Sequence, residues 1–308
     1  MHIVIAAEMF GDDIRHDRRK QEAMPKRAVD TDDLAALALS RHNPRHVIGK
    51  RRADPRGHLK DLRFAEGRVQ RIGEPQQEPH RVEVPLDFLE LDAAFAEHTP
   101  DLLLATGDLA QEPATAAYEQ LRAEIARRYS GPLCALPGNH DEPEQVAERL
   151  AVAPVTLGSW TIVPLDSHVP GEERGELSAA ELERLERTLQ EVATEHVLVG
   201  VHHPPLEVGS PLDHGRIGNG AQLLARLAAD ERVRGVVFGH IHQEVDLRIG
   251  NLRLLGSPST CVQFKPLTTA FALDTQPPGY RWLVLADDGT IRTRVARLPA
   301  GSFPAGLT

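Results

Sequence analysis

Short apolar runs recur through the second two-thirds of the chain, and each closes on a polar or glycine-containing cluster. The run Leu102-Leu103-Leu104-Ala105 reads as a buried strand ending at Gly107-Asp108. Leu133-Cys134-Ala135-Leu136 reads as a second strand, delivering the loop Gly138-Asn139-His140-Asp141. Residues 160–165 lead to Asp166-Ser167-His168, residues 196–201 to His202-His203-Pro204-Pro205, and residues 233–238 to Gly239-His240-Ile241-His242. Helical spacing fills the intervals at 86–98, 113–129, 142–150, 178–194 and 221–229. Pro113 opens one of these helices and Arg127-Arg128 closes it, as the helix dipole prefers. Ser178 with Glu181 three positions on predicts a capping box. Strand-like runs then dominate at 252–255, 268–273, 281–285 and 290–296, with a hairpin turn at Asp288-Gly289. Strands alternating with helices, followed by an antiparallel tail, predict an α/β domain whose sheets are buried by helices. Residues 301–308 read as a frayed tail.

The first part of the chain does not share this pattern. Residues 12–82 hold 17 of the 35 Lys and Arg, with scattered Pro and His and no sustained apolar period. Acidic residues interrupt the basic clusters, so a solvated, partly disordered segment is expected rather than an anion-binding surface. Only His2-Ile3-Val4-Ile5-Ala6 resembles an opening strand. The division expected is an atypical segment at 1–83 and a folded domain at 84–300. A stretch rich in Arg, His and Pro without periodicity is also what an out-of-frame or wrongly started reading would produce.

Composition narrows the class. The 308 residues, 41% of them hydrophobic, suffice for a sizeable core, and a net charge of −10 argues against general nucleic-acid binding. No apolar run approaches the roughly 20 residues of a membrane span, and no signal peptide is visible. The two cysteines, Cys134 and Cys261, sit beside apolar runs and are expected to be buried reduced thiols, which makes the cytoplasm the default location. The oligomeric state stays open, a homodimer included.

Fifteen histidines matter through their placement. Asp108, Asn139 with His140, His202 with His203, and His240 with His242 all stand at the ends of apolar strands. Ligands of α/β proteins bind beyond the carboxyl ends of strands, so these residues can converge on one site. Each motif has a bland alternative: Gly107-Asp108 as a turn, His202-His203-Pro204-Pro205 as a rigid loop. As a set they point to a metal centre. Imidazole, carboxylate and amide donors suit Mn, Fe or Zn better than Ca or Mg. In Gly239-His240-Ile241-His242, alternation is expected to put both imidazoles on one side of an extended segment, with Ile241 on the other.

The ordered series Gly107-Asp108, Gly138-Asn139-His140-Asp141, His202-His203-Pro204-Pro205 and Gly239-His240-Ile241-His242 resembles the calcineurin-like metallophosphoesterases. Within them it looks like the class III cyclic-nucleotide phosphodiesterases, through Leu165-Asp166-Ser167-His168-Val169-Pro170-Gly171, Pro258-Ser259-Thr260-Cys261-Val262-Gln263-Phe264 and Pro278-Gly279-Tyr280-Arg281-Trp282. The resemblance covers about residues 84–298. It implies a four-layer αββα sandwich with two divalent metal ions, Fe, Mn or Zn. Asp108 would bridge the two ions; Asn139, His202 and His240 would complete one position, and His242 would serve the other. His202 is preferred to His203 because the family's ligand stands two positions before the first proline. His140 would face the scissile phosphate, as a transition-state stabiliser or proton donor, with Asn139 beside it. The reaction implied is opening of 3′,5′-cyclic AMP to the 5′-monophosphate by a metal-activated hydroxide.

One departure stands out. The family opens with a strand leading to Asp-x-His, which supplies two ligands to the ion shared with His242, and no Asp-x-His precedes Asp108. The nearest echoes are Asp54 with His58 and Asp13 with His16. If neither pair contributes, one position would be held weakly and only one ion would bind. Two other readings therefore remain open: a phosphoesterase acting on another phosphodiester or phosphomonoester, and a catalytically silent member that binds a metal or nucleotide.

Overall fold

Burial alternates between two cores along strand β1 (His2–Ala6), and this alternation sets the layering of the domain. The computed structural model describes residues 1–6 and 89–300. In one sheet, β1 lies between β10 (Gly279–Leu285) and β2 (Leu102–Ala105), flanked by β11 (Ile291–Arg297) and β3 (Leu133–Ala135), in the order β11-β10-β1-β2-β3. β1 runs parallel to β2 and antiparallel to β10, so the sheet is mixed. The other sheet has the order β4-β5-β6-β7-β9-β8. Its strands are β4 (Val155–Leu157), β5 (Trp160–Leu165), β6 (His196–Val201), β7 (Val233–Phe238), β8 (Val245–Ile249) and β9 (Leu252–Gly256). β5, β6, β7 and β9 are parallel, with antiparallel edges at β4 and β8.

Three apolar clusters join four layers. Ile3, Ile5, Leu102 and Leu104 meet Trp160, Ile162, Leu198, Val237 and Leu255 between the two sheets. The alternate residues Val4, Ala6, Leu103 and Ala105 face outward against helices α1 (Leu89–Glu97), α2 (Thr115–Arg128) and α3 (Pro143–Arg149). Val163, Leu165, Val197 and Val199 pack against α4 (Ala179–Glu191) and α5 (Gly220–Ala229). A sheet residue that points inward is thus followed by one that points to a helix, the period-two rule of a strand buried on both faces. The result is the α/β domain expected from the alternation of strands and helices, layered as the αββα sandwich that the family resemblance implies.

Arg281 ties the sheets together. Its side chain is buried, donating to the Gly256 carbonyl from Nε (3.1 Å) and Nη2 (2.8 Å), to the Val245 carbonyl (3.1 Å) and to Thr293 Oγ1 (2.9 Å). Burial lowers its pKa to about 10, so it stays charged at neutral pH and each carbonyl contact is charge-assisted. Cys134 and Cys261 are both buried. Burial pushes the Cys134 thiol up to about 12.

Several local expectations are corrected. Residues 268–273 form no strand; the segment is held by a single bridge, Phe264 to Leu273. Ser178 Oγ does accept from the Glu181 N–H (3.1 Å), but the Glu181 carboxylate turns away from the cap. It accepts from the Asp166 N–H at 2.8 Å and pairs with Arg184, fixing the chain just beyond β5 rather than closing the box. Among the described residues, no helix is long and apolar enough to cross a membrane.

Candidate metal centre

The strand ends β2, β3, β6 and β7 bring the candidate ligands to one rim of the two sheets. Past β2 the chain turns at Gly107, whose φ is +95°. A Cβ there would lie 2.4 Å from His202 Nδ1, so only glycine lets the turn meet the imidazole. Gly138 serves the same purpose from the other side, because a Cβ would stand 2.1 Å from Asp108 Oδ1. Asp108, His240 and His242 all have positive φ, at 52°, 61° and 51°. Non-glycine residues adopt this conformation at a cost of order 1 kcal/mol or more, and it gathers where a side chain must be aimed.

His202 lies at the middle of the group. Its Nδ1–H donates to the Thr106 carbonyl at 2.8 Å, which aims Nε2 at Asp108 Oδ2 and Asn139 Oδ1, each 3.2 Å away. Asp108 Oδ1 accepts the backbone N–H of His140 at 3.1 Å. Burial disfavours the Asp108 charge, but the imidazoles of His202, His140 and His240 outweigh it and hold the carboxyl well below its usual range. Burial would likewise lower His202, yet Asp108 and the Thr106 carbonyl hold it above its ordinary value. His240 is buried, and burial followed by the charge of His202 lowers it well below an ordinary imidazole. It is therefore neutral, the state that binds metal. Its Nε2 is buried with no hydrogen-bond partner among the described residues. His242 donates from Nδ1 to the Val262 carbonyl at 2.8 Å and stacks on Phe264, with ring centroids 3.8 Å apart and planes at 13°.

The segment 239–242 is not extended, contrary to its alternating sequence. Ile241 N–H bonds back to the Gly239 carbonyl at 2.7 Å, and both flanking histidines are left-handed. Ile241 is wholly buried in the core under α4 and α5, and this burial anchors the turn between the two imidazoles.

Sequence reasoning passed over three contributors. Asp141 is buried and accepts the N–H groups of Leu109 (3.0 Å), Ala110 (3.1 Å) and Gly138 (2.9 Å) and the hydroxyl of Tyr118 (3.1 Å). It thereby fastens the Asp108 turn to the Asn139 loop. Burial, then the charge of Asp108, pushes its pKa up to about 6. Gln111 donates from Nε2 to His140 Nδ1 at 3.3 Å, which leaves the His140 proton on Nε2. Ser167 Oγ lies 2.8 Å from His203 Nδ1. Asp141 stands in the motif itself; nothing in the sequence marks Gln111. Asp13, His16, Asp54 and His58 lie outside the described residues.

The family model for calcineurin-like phosphoesterases matches residues 84–244. The chain belongs to the calcineurin-like phosphoesterase family. Among relatives of this calcineurin-like phosphoesterase, the 3′,5′-cyclic adenosine monophosphate phosphodiesterase CpdA of Escherichia coli (strain K12) is 44% identical over 215 residues, covering 67% of this chain and 78% of that one. CpdA of Pseudomonas aeruginosa is 40% identical over 204 residues, covering 64% and 75%. The 3′,5′-cyclic-nucleotide phosphodiesterase of Nostoc sp. (strain PCC 7120) is 37% identical over 226 residues, covering 69% and 83%. A dimetal phosphatase from Danio rerio shares the fold, with a TM-score of 0.50 at 17% identity over 68% of this chain and 89% of that chain.

Membership in this family implies divalent metal ions. The donors fit them: the Nδ1 atoms of His202 and His242 are tied to carbonyls, the common second-shell arrangement that directs the opposite nitrogen to a metal. Asp108 is ionised beside His202, and His240 is neutral and buried.

Proposed function

We propose that this phosphoesterase hydrolyses 3′,5′-cyclic nucleotides, cyclic AMP foremost, to 5′-monophosphates. The observation that carries the substrate class is the 37–44% identity to relatives named for that reaction. The geometry of Asp108, Asn139, His140 and His202 supports the chemistry.

Asp108, Asn139, His202 and His240 would hold one ion, with Asp108 shared toward a second position served by His242. Their oxygen and imidazole donors favour Mn, Fe or Zn. When bound there, such ions supply Lewis acidity that generates hydroxide from water at neutral pH and neutralises charge on the phosphoryl oxygens. The phosphodiester has one P–O bond to form, from water, and one to break, to the ribose 3′ oxygen. His140 is equipped for the second. Because Gln111 donates to Nδ1, the Nε2 proton of His140 is the one available to the departing oxygen or to a phosphoryl oxygen. The His140 backbone N–H, bonded to Asp108, fixes the ring beside the Asp108 carboxylate. β1 ends at Ala6 against Thr106, whose N–H bonds the Ala6 carbonyl at 2.9 Å. β1 therefore ends beside Thr106, two residues before Asp108, and in the family the opening strand leads to Asp-x-His. We take residues 84–300, together with β1, as the catalytic domain, working in the cytoplasm, where buried thiols such as that of Cys134 would remain reduced.

The test is a substrate panel. Metal-reconstituted protein is given cyclic AMP, bis(p-nitrophenyl) phosphate and p-nitrophenyl phosphate at matched concentrations. Cyclic AMP is expected to have the highest kcat/KM. Turnover of the generic esters alone would overturn the cyclic-nucleotide assignment.

A further inference from the structure

We propose that His203 is a metal ligand in this chain, completing a three-imidazole site with His202 and His240. The proposal rests on reading His202 and His240 as ligands and adds a donor that the motif comparison sets aside. Three observations carry it.

The first is convergence. Adjacent residues in a strand point to opposite faces, but β6 ends at Val201 and the chain bends at 202–203. The two rings consequently stand edge to face, with centroids 4.7 Å apart, and His203 lies 4.7 Å from His240. One ligand nitrogen from each of His202, His203 and His240 lies within 4.8 Å of the other two, and all three residues are buried. A tetrahedral ion with bonds of about 2.0–2.1 Å needs nitrogens roughly 3.4 Å apart, so modest ring rotations close the site.

The second is orientation. His203 Nδ1 is held by Ser167 Oγ at 2.8 Å, as His202 Nδ1 is held by the Thr106 carbonyl and His242 Nδ1 by the Val262 carbonyl. All three rings show the tether that aims a ligating nitrogen. Gly175 closes the back of the ring, where a Cβ would come within 2.5 Å of His203 Nδ1.

The third is an unmet need. His203 is fully buried, and its Nε2, like that of His240, has no hydrogen-bond partner of good geometry among the described residues. A buried polar nitrogen left without a partner is destabilising unless something answers it. The backbone of Glu173, which also faces His203, is the competing answer. An imidazole set of this kind suits Zn, Fe, Ni or Cu better than Mg or Ca.

The test uses Co(II) added to metal-stripped full-length protein, read by its visible ligand-field bands. Loss of an imidazole ligand in His203→Gln is expected to weaken Co(II) binding at least about tenfold and to shift the bands. Ser167→Ala, which keeps the imidazole but removes its tether, is expected to weaken binding by a smaller factor with the bands retained. Near-ultraviolet circular dichroism of the apoproteins establishes that each variant is folded. If His203→Gln does not fold, the same comparison on Ser167→Ala decides the matter. Bands and affinity unchanged in the folded variants would overturn the proposal and assign the His203 nitrogen to Glu173. In that outcome, loss of Co(II) from His202→Ala and His240→Ala would leave the parent reading intact. Failure of the wild type to bind Co(II) at all would overturn both.

Discussion

Asp141 Oδ2 accepts a hydrogen bond from the backbone N–H of Gly138 at 2.9 Å, closing the Asn139–His140 loop on its own carboxylate. The same carboxylate takes the Leu109 and Ala110 N–H groups, so the Asp108 and Asn139 turns, from different strands, share one anchor. Replacing Asp141 with Asn puts an amide N–H₂ against N–H donors and leaves at least one of them unpaired. The expected cost is about 2–4 kcal/mol of stability, measured by urea unfolding of the metal-stripped protein. A change below about 0.5 kcal/mol would show that the anchor is dispensable.

Asp141 also has a pH signature. Burial, and then the charge of Asp108, raises its folded pKa to about 6 from an ordinary 3.8. Between those values the folded state binds more protons than the unfolded one. This group's contribution to stability is therefore full at low pH and is lost as pH rises through about 6. Urea unfolding of the metal-stripped protein from about pH 4 to pH 7 should show wild type losing more stability than Asp141→Asn over this window. Parallel curves would contradict the assignment.

Gly138 has a steric role that an alanine would expose. A Cβ there collides with Asp108 Oδ1 and, at 2.4 Å, with the Asp108 backbone nitrogen. Gly138→Ala should displace the Asp108 carboxylate and lower metal affinity by about 10–100-fold, measured by metal content after equilibrium dialysis. Full retention of metal would mean that the loop yields without moving Asp108.

His140 and Gln111 separate chemistry from metal binding. His140→Ala should reduce turnover about 10²–10⁴-fold while metal content is kept. Gln111→Leu removes the donor to Nδ1 and should reduce turnover about tenfold, the worth of one hydrogen bond. Loss of metal in His140→Ala would make His140 a ligand rather than a proton donor.

Much of this architecture is legible in the sequence where burial alone dictates it. β5, β6 and β7 are mostly apolar runs, as a sheet covered on both faces requires, and their bounds are read directly. β8, Val-Asp-Leu-Arg-Ile, escapes such a reading because it is a mostly exposed edge with no apolar run to mark it. β4 escapes because three residues are too short for a period to register. The reverse error, a strand at 268–273, comes from apolar composition in a segment that finds no partner strand. The candidate ligands are visible because their side chains carry the chemistry. What aims them is not: carbonyls of Thr106 and Val262 are backbone atoms, and the left-handed conformation of His240 and His242 has no side-chain signature. That is why 239–242 reads as extended in the sequence but is turned in the structure.

The most direct measurement is hydrolysis of cyclic AMP by the full-length protein reconstituted with Mn(II), with the product followed by phosphorus NMR. 5′-AMP is the expected product, formed only with added metal and abolished in Asp108→Asn. No conversion of cyclic AMP by metal-loaded, folded protein, or equal conversion by Asp108→Asn, would contradict it.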